Sequence, residues 1–537
     1  MPDNVAIADA LERYASLLDL AGAGYYTVRA YRRAAEMIRP LDTPVAELVR
    51  AGRVRELRGI GPGVEARLRE LVETGGIAHA RELEGEVEPE LVGLGRFLGL
   101  GPQRSVELGR ALGVRTAAEL RDAIREGRVG GVRGFGPKTE AKLRAALERE
   151  GEPRPPQGLL LNRALELAES IAGALGCIAA GDPRRWKDVS NSFAVVCSSA
   201  DVLDRFAALP QIVSVVSRDG RRALGVTVEG VPVEAVVAGP GRFGTELVRA
   251  TGSRAFVAAL EPLPDAPNEE AVFAALGLPY VPPELREEPF EGAPPPLVEL
   301  GQIRGDLHVH TTWSDGKASV LEMAEAARAL GYEYLAICDH TRNVRVVPGL
   351  DADDVRRQAE EIEEANGALS PFRVLRGIEC DILPDGSLDL PDDVLAELGW
   401  VQASVHAGQR ARPDEITRRV VEALRHPAVS CLSHPKGRII NHRPENALDL
   451  ERTFEVALEE GVAVEVNGLP DRLDLRDVHV RLAVESGVPI VCSTDAHSTR
   501  GLGNMQLSVA TARRGWATAV DVLNTRPLAE LPLGSRR

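Results

Sequence analysis

Six apolar runs in the second half of the chain each close on side chains that can hold a metal, which narrows the possible folds sharply. They are Asp306-Leu307-His308-Val309-His310, Tyr334 to His340, Val374 to Glu379, Val401 to His406, Val429 to His434 and Ile490 to His497. Side chains alternate along a strand, so His308 and His310 share a face. Amphipathic stretches at helical spacing separate the runs, and strands alternating with helices over roughly 235 residues point to an α/β barrel. Barrel enzymes place their active sites at the C-terminal ends of the strands, where these side chains fall. The candidate metal ligands are His308, His310, Asp315, His340, Glu379, His406, His434, Asp495 and His497. Nine ligands exceed one tetrahedral ion and suit three divalent ions, with Glu379 free to bridge two of them. A hydrogen-bonded core histidine would explain any one of the six imidazoles, but it explains six in register poorly. His79, His426, His442 and His479 fall outside the pattern and read as surface or structural residues. Lys436, Arg438 and Arg472 also follow strand ends; holding a phosphate and being plain surface cations explain them equally well.

A second pattern recurs in the first 150 residues. Leu57-Arg58-Gly59-Ile60-Gly61-Pro62-Gly63, Leu98-Gly99-Leu100-Gly101-Pro102 and Val132-Arg133-Gly134-Phe135-Gly136-Pro137-Lys138 each precede a stretch at helical spacing. Glycines permit a tight turn that exposes backbone N–H groups, and the following helix turns its positive end toward an anion. One such turn would mean little. Three in one frame favour phosphate binding through Gly59, Gly61, Gly63, Gly99, Gly101, Gly134, Gly136 and Lys138. Residues 1–150 carry 24 basic and 23 acidic side chains, so the net charge of −16 lies almost wholly downstream. Gripping a DNA backbone through amides needs no strongly basic domain.

Composition narrows the setting. No run of eighteen apolar residues and no basic N-terminus before an apolar core occur, which argues against a membrane span or signal peptide. The six cysteines, at 177, 197, 338, 380, 431 and 492, are scattered in apolar runs and read as reduced core residues of a cytoplasmic protein. A length of 537 residues predicts three or more domains.

The order of parts resembles the bacterial family X DNA polymerases with a C-terminal PHP (polymerase and histidinol phosphatase) domain, over essentially the whole chain. The repeated turns resemble helix-hairpin-helix motifs. Gly181-Asp182-Pro183-Arg184-Arg185-Trp186-Lys187-Asp188 resembles the start of that family's palm. Phe243-Gly244-Thr245-Glu246-Leu247 through Thr251-Gly252-Ser253 resembles the segment entering its thumb, and Ala274-Ala275-Leu276-Gly277-Leu278-Pro279-Tyr280-Val281-Pro282-Pro283-Glu284-Leu285-Arg286 resembles the thumb's end. The implied fold is multidomain. It comprises a helical domain with the first hairpin (1–85), a fingers-like hairpin domain (86–150), an α+β nucleotidyltransferase-like palm (151–242), a thumb (243–295) and a distorted (β/α)7 barrel (303–537). Residues 282–296, rich in Pro and Glu, read as a linker.

The resemblance also shows departures. The family holds two Mg²⁺ ions with two aspartates in an Asp-x-Asp strand and a third on a neighbouring strand. The matching positions here are Ser192, Ala194 and Glu234, and the family's phosphate-binding Gly-Ser is Gly181-Asp182. Together these predict a palm that has lost nucleotidyl transfer. The lysine that related enzymes use as a Schiff base has no counterpart in Gly63–Arg69, and arginine cannot replace it. No deoxyribose-phosphate lyase activity of that type is expected. The nine barrel ligands, by contrast, match the PHP pattern without departure. The resemblance implies Mn²⁺ or Zn²⁺, with iron as an alternative, and phosphoester hydrolysis centred on His308, His310, Asp315, Glu379 and Asp495. The segments Val464–Asn467 and Arg472–Leu475 resemble the polymerase-linked subgroup and are expected to support the metal shell. The leading expectation is a monomeric 3′→5′ exonuclease or 3′-end processing enzyme of DNA repair, acting on gapped or 3′-ended duplex without sequence preference. A gap-filling polymerase, a small-molecule phosphatase and a metal-holding scaffold without turnover are the alternatives.

Overall fold

The computed structural model describes residues 4–535, leaving out 22, 24, 39–43, 58–59, 87–93, 95–97, 99, 101, 149–157, 290–291 and 345–346. The chain divides into two compact units. One comprises Met1–Pro156, Leu167–Ala179 and Asn191–Glu246, and the other Gln157–Glu166, Ala180–Ser190 and Leu247–Arg537.

In the first unit the helices Asn4–Leu20, Tyr25–Ile38, Val45–Arg50 and Pro62–Thr74 enclose an apolar core that includes Leu11, Ile38, Val45, Val64 and Leu68. A separate core gathers Leu108, Leu120, Ile124, Phe135 and Leu143 from the helices Pro102–Leu112, Ala117–Arg125 and Pro137–Glu148 and the turn before the last. Thr116 caps the middle helix through a capping box with Glu119, which satisfies two of its unpaired N-terminal donors.

Among the described residues, seven strands precede the barrel: β1 Leu159–Leu160, β2 Ile178–Gly181, β3 Val189–Ser190, β4 Phe193–Cys197, β5 Ile212–Arg218, β6 Arg222–Thr227 and β7 Pro232–Val237. Five of them form a sheet in the order β2-β4-β7-β6-β5. The parallel register of β4 and β7 sets Ala194 opposite Glu234, and the antiparallel β6 sets Leu224 beside the same residue. The reduced state expected for all six cysteines is corrected here. Cys177 and Cys197 form a disulfide, because Cys177 leads into β2 and Cys197 ends its neighbour β4. The other four are free and buried.

The second unit holds the barrel. Its strands are β8 Gly305–Val309, β9 Tyr334–Ile337, β10 Arg373–Asp381, β11 Trp400–Ser404, β12 Cys431–Leu432, β13 Ala463–Asn467 and β14 Ile490–Ser493. All seven pair in parallel in chain order, and a bridge from Val309 to Ala496 joins the first strand's end to the last's. Six of them are buried along their whole length and β10 along all but Arg373 and Arg376, because helices cover the outside while side chains fill the inside.

Residues 282–296 are not a plain linker. Leu285 and Arg286 are buried with the thumb's Phe273 and Val272. Arg286 is tolerated there because Glu269 meets its Nη1 at 2.5 Å and Val281 O accepts from its Nε at 2.9 Å. Among the described residues, no helix is long and apolar enough to cross a membrane.

Candidate metal centre

The nine predicted ligands converge. His308 and His310 leave the end of β8 on one face, with their Nε2 atoms 3.2 Å apart. Asp495 Oδ1, beyond β14, lies 3.0 Å from His310 Nε2 and 3.9 Å from His308 Nε2. Glu379, on β10, reaches into the middle. Its Oε2 stands 2.8 Å from His340 Nδ1, 3.4 Å from His308 Nε2 and 3.6 Å from His310 Nε2. Its Oε1 stands 2.8 Å from His434 Nε2 and 3.3 Å from His406 Nε2. Asp315 closes the remaining side, 3.2 Å from His497 Nε2 and 3.8 Å from His310 and His340. Three overlapping groups emerge, each compact enough for an ion: His310-Asp315-His340-His497, His308-His310-Asp495 and His340-Glu379-His406.

Two observations show that these residues fit a metal. Buried polar atoms normally find hydrogen-bond partners. Here His310 Nδ1, His340 Nδ1, His406 Nδ1, His434 Nδ1 and Glu379 Oε2 have none, although several lie close to one another. Burying charge costs several kcal/mol per group unless compensated, so such a cluster is a poor stability device. The backbone is also forced at two ligands, with φ of 24° at His434 and 52° at Asp495, a left-handed region unusual for side-chain-bearing residues.

The electrostatics prepare the ligands. Burial alone would raise Glu379 and Asp495, but the surrounding imidazoles hold both well below the usual carboxylate range. The same opposition, won by His497, His310 and His340, leaves Asp315 low. Burial, with His340 and His497 beside it, pushes His310 down to about 4, so its ring is neutral. Burial opposes charge on His406 too, but Glu379 and Asp381 push it up to about 9.

A supporting layer fixes the rings. His308 Nδ1 donates to Glu465 Oε1 at 2.6 Å, which leaves Nε2 to act as ligand. His497 Nδ1 donates to the Asp495 carbonyl at 2.8 Å. Asn467 Nδ2 donates to Asp495 Oδ2 at 2.9 Å. Glu465 and Asn467 lie in the segment expected to support the shell. Asp381 and Asp339 were missed. Asp381 accepts from the His406 backbone N–H at 3.1 Å, and Asp339 accepts from Thr311, Ser314 and Gln358. The Glu379-x-Asp381 spacing along one strand face was the available signal for the first.

The three predicted cations separate. Arg472 faces the centre, its Nε 4.0 Å from Asp495 Oδ2. Lys436 and Arg438 are corrected, because both are buried and already engaged. Lys436 Nζ donates to Leu448 O at 2.9 Å. Arg438 donates to Arg472 O, Leu473 O and Asp188.

In the palm, Ser192 is exposed and Ala194 buried, and Glu234 is not available as a lone carboxylate. Arg222 reaches it from β6 at 3.1 Å and also meets Glu246 at 3.3 Å. Asp182 pairs with Arg185 at 2.5 Å. Of the hairpin positions, Gly59, Gly99 and Gly101 lie outside the described residues. Gly61 precedes the Pro62–Thr74 helix and accepts from Glu65 N at 2.9 Å, and Gly63 O accepts from Tyr31 Oη at 3.3 Å. Gly134 has φ of 89°, its carbonyl accepts from Arg104, and Gly136 and Lys138 open the Pro137–Glu148 helix.

A parallel barrel with a histidine and carboxylate cluster at its strand ends, carried behind helix-hairpin-helix turns, defines a metal-dependent phosphoesterase attached to a nucleic-acid-processing framework. A PHP domain model matches residues 306–468, and a helix-hairpin-helix domain model matches residues 2–77. The DNA polymerase/3′-5′ exonuclease PolX of Bacillus subtilis (strain 168) is 35% identical over 556 aligned positions, spanning 97% of each chain. A "Probable phosphatase" of Acetivibrio thermocellus is 31% identical over 207 positions, 37% of this chain and 81% of that protein. Another, of Thermoanaerobacter sp. (strain X514), is 27% identical over 236 positions, 41% of this chain and 89% of its own. The chain belongs to the family X DNA polymerases with a C-terminal PHP domain.

Proposed function

We propose that the chain binds DNA and trims its 3′ ends in the barrel, as a 3′→5′ exonuclease or 3′-end processing enzyme, and that its palm no longer transfers nucleotides. The contrast between the two centres carries this reading. The nine predicted ligands lie together in the barrel, whereas the palm offers Ser192, Ala194 and a Glu234 paired with Arg222. The Bacillus subtilis relative is named for both activities.

Three ions, Mn²⁺ or Zn²⁺, suit three groups that gather eight of the nine ligands, with His434 beside Glu379, and would supply an activated water and neutralise charge on the phosphate. The chain's own residues do the rest. Glu379 has both oxygens among imidazoles and would help hold the ions there. Glu465 sets which nitrogen His308 presents. Arg472 stands where a phosphate oxygen could take its guanidinium in place of distant Asp495. The turns at Gly61, Gly63, Gly134 and Gly136 hold the DNA backbone, with Gly59, Gly99, Gly101 and Lys138 completing the set.

End-labelled gapped duplex with Mn²⁺ tests the reading. The wild-type chain is expected to shorten the 3′ strand, with activity lost on chelation and in the His308→Ala, Asp495→Ala double variant. Nuclease activity surviving in that variant would place the chemistry elsewhere. The relative's polymerase name favours a second reading, established if barrel-ablated protein fills the gap. The phosphatase relatives, which match only the barrel region, favour a third: small-phosphomonoester turnover indifferent to competing DNA.

A further inference from the structure

We propose that Asp188, in the palm segment, is a positioning residue for hydrolysis in the barrel, acting through Arg438 on the loop that carries Arg472. The inference rests on the barrel reading above and adds a residue from outside the barrel to it. Arg438 is 7% exposed, and its guanidinium is divided among three acceptors. Nε donates to Arg472 O at 2.7 Å, Nη2 to Leu473 O at 2.6 Å, and Nη1 to Asp188 Oδ2 at 2.8 Å. Among the described residues, Asp188 is the one carboxylate within 4.0 Å of it. Arg438 is buried and Asp188 half-buried, so removing Asp188 leaves a buried guanidinium without its counter-charge and loosens the geometry it holds.

What Arg438 holds bears directly on the metal centre. Asn467, which ends β13, ties the following loop to Asp495: its Nδ2 donates to the Asp495 carboxylate, and its backbone N donates to Asp474 O at 2.7 Å. Arg472 Nε stands 4.0 Å from the same carboxylate. Next to it, Leu473 has φ of 44°, a conformation a leucine keeps only when its surroundings impose it. Arg438 grips the carbonyls of these two residues and so sets where the Arg472 guanidinium points.

Asp188 is itself firmly placed. Trp186 and Val189, either side of it, pack with Leu161, Ile440, Leu473 and Leu507. Arg514 Nη1 donates to Arg185 O at 2.7 Å. The segment that resembles a polymerase's phosphate-binding start thus serves, in this chain, as a fixed counter-charge for the nuclease loop.

The test uses full-length Asp188→Asn and Asp188→Glu loaded with Mn²⁺. Binding of inorganic phosphate is followed by calorimetry, and Mn²⁺ content and thermal midpoint are measured on the same samples. The expected result is phosphate affinity about tenfold weaker in Asp188→Asn at unchanged Mn²⁺ content, with partial recovery in Asp188→Glu. Combining Asp188→Asn with Arg438→Gln should weaken phosphate no further than Arg438→Gln alone. Phosphate affinity within twofold of wild type in Asp188→Asn would overturn the inference. So would a loss that merely follows Mn²⁺ content or thermal midpoint, since that is a structural role. Should the wild-type chain bind neither Mn²⁺ nor phosphate, the barrel reading and this one fall together; if only the variant's response is absent, this one falls alone.

Discussion

Glu465 shows how much of the centre depends on a residue that holds no ion of its own. It is fully buried, and its two oxygens accept from His308 Nδ1, Ser493 Oγ, Ser433 Oγ and the His434 backbone N–H. With Asn467 Nδ2 as a fifth donor at 3.3 Å, this one carboxylate fixes the imidazole of His308 and the backbone of His434 at once. Glu465→Gln keeps the shape but replaces one acceptor oxygen by a donor, so at least one of these bonds becomes a donor–donor clash. Mn²⁺ affinity, measured by calorimetry, should fall by about 10- to 100-fold with the secondary structure unchanged. Unchanged affinity would show that His308 is oriented without it. The cluster was legible in the sequence because all its members but Asp315, which follows a polar turn, close an apolar run. Glu465 and Asn467 were legible only as a segment, since His308 and Glu465 lie 157 positions apart and no local pattern states that they meet.

At the scale of elements, β4, β6 and β7 explain why the palm reads as inert. The register sets Ala194 opposite Glu234, and residues two apart share a strand face, so Ser192 and Ala194 occupy the positions two aspartates would need. Arg222, on the neighbouring strand, already supplies the positive charge that Glu234 would otherwise seek from a metal. Restoring Ser192→Asp and Ala194→Asp in a chain carrying His308→Ala should therefore give no nucleotide incorporation into gapped DNA with Mg²⁺. Incorporation above the parent would mean that two carboxylates were all the palm lacked. The missing aspartates were visible from residues alone, but Arg222 was not, because an exposed arginine in a strand has no sequence signature. The disulfide was missed for a related reason: Cys177 and Cys197 become neighbours only once β2 lies beside β4. Lys436 and Arg438 were read outward from their strand end, whereas their acceptors lie on the loops after β12 and β13 and on the palm segment.

At the scale of the whole chain, the acidic charge runs against binding a polyanion, and this has a measurable consequence. Residues 1–150 are near neutral, with 24 basic and 23 acidic side chains, and the remainder is strongly acidic. A protein that held DNA by neutralising many phosphates would lose roughly 10³- to 10⁵-fold in affinity between 50 and 200 mM salt. Helix-hairpin-helix turns instead offer backbone N–H groups, which bind phosphate with little release of counterions. If these turns supply the grip, with about two or three phosphates neutralised by arginine or lysine, affinity should fall only roughly 10- to 40-fold over that range. Fluorescence anisotropy on a gapped duplex, with Ca²⁺ replacing Mn²⁺ to prevent cutting, measures the slope directly. Gly134→Ala should weaken binding without flattening that slope. It forces a side chain into a φ of 89° and distorts the turn, yet removes no charge. A steep slope in the wild type would instead assign the grip to arginine side chains and leave the turns a structural role.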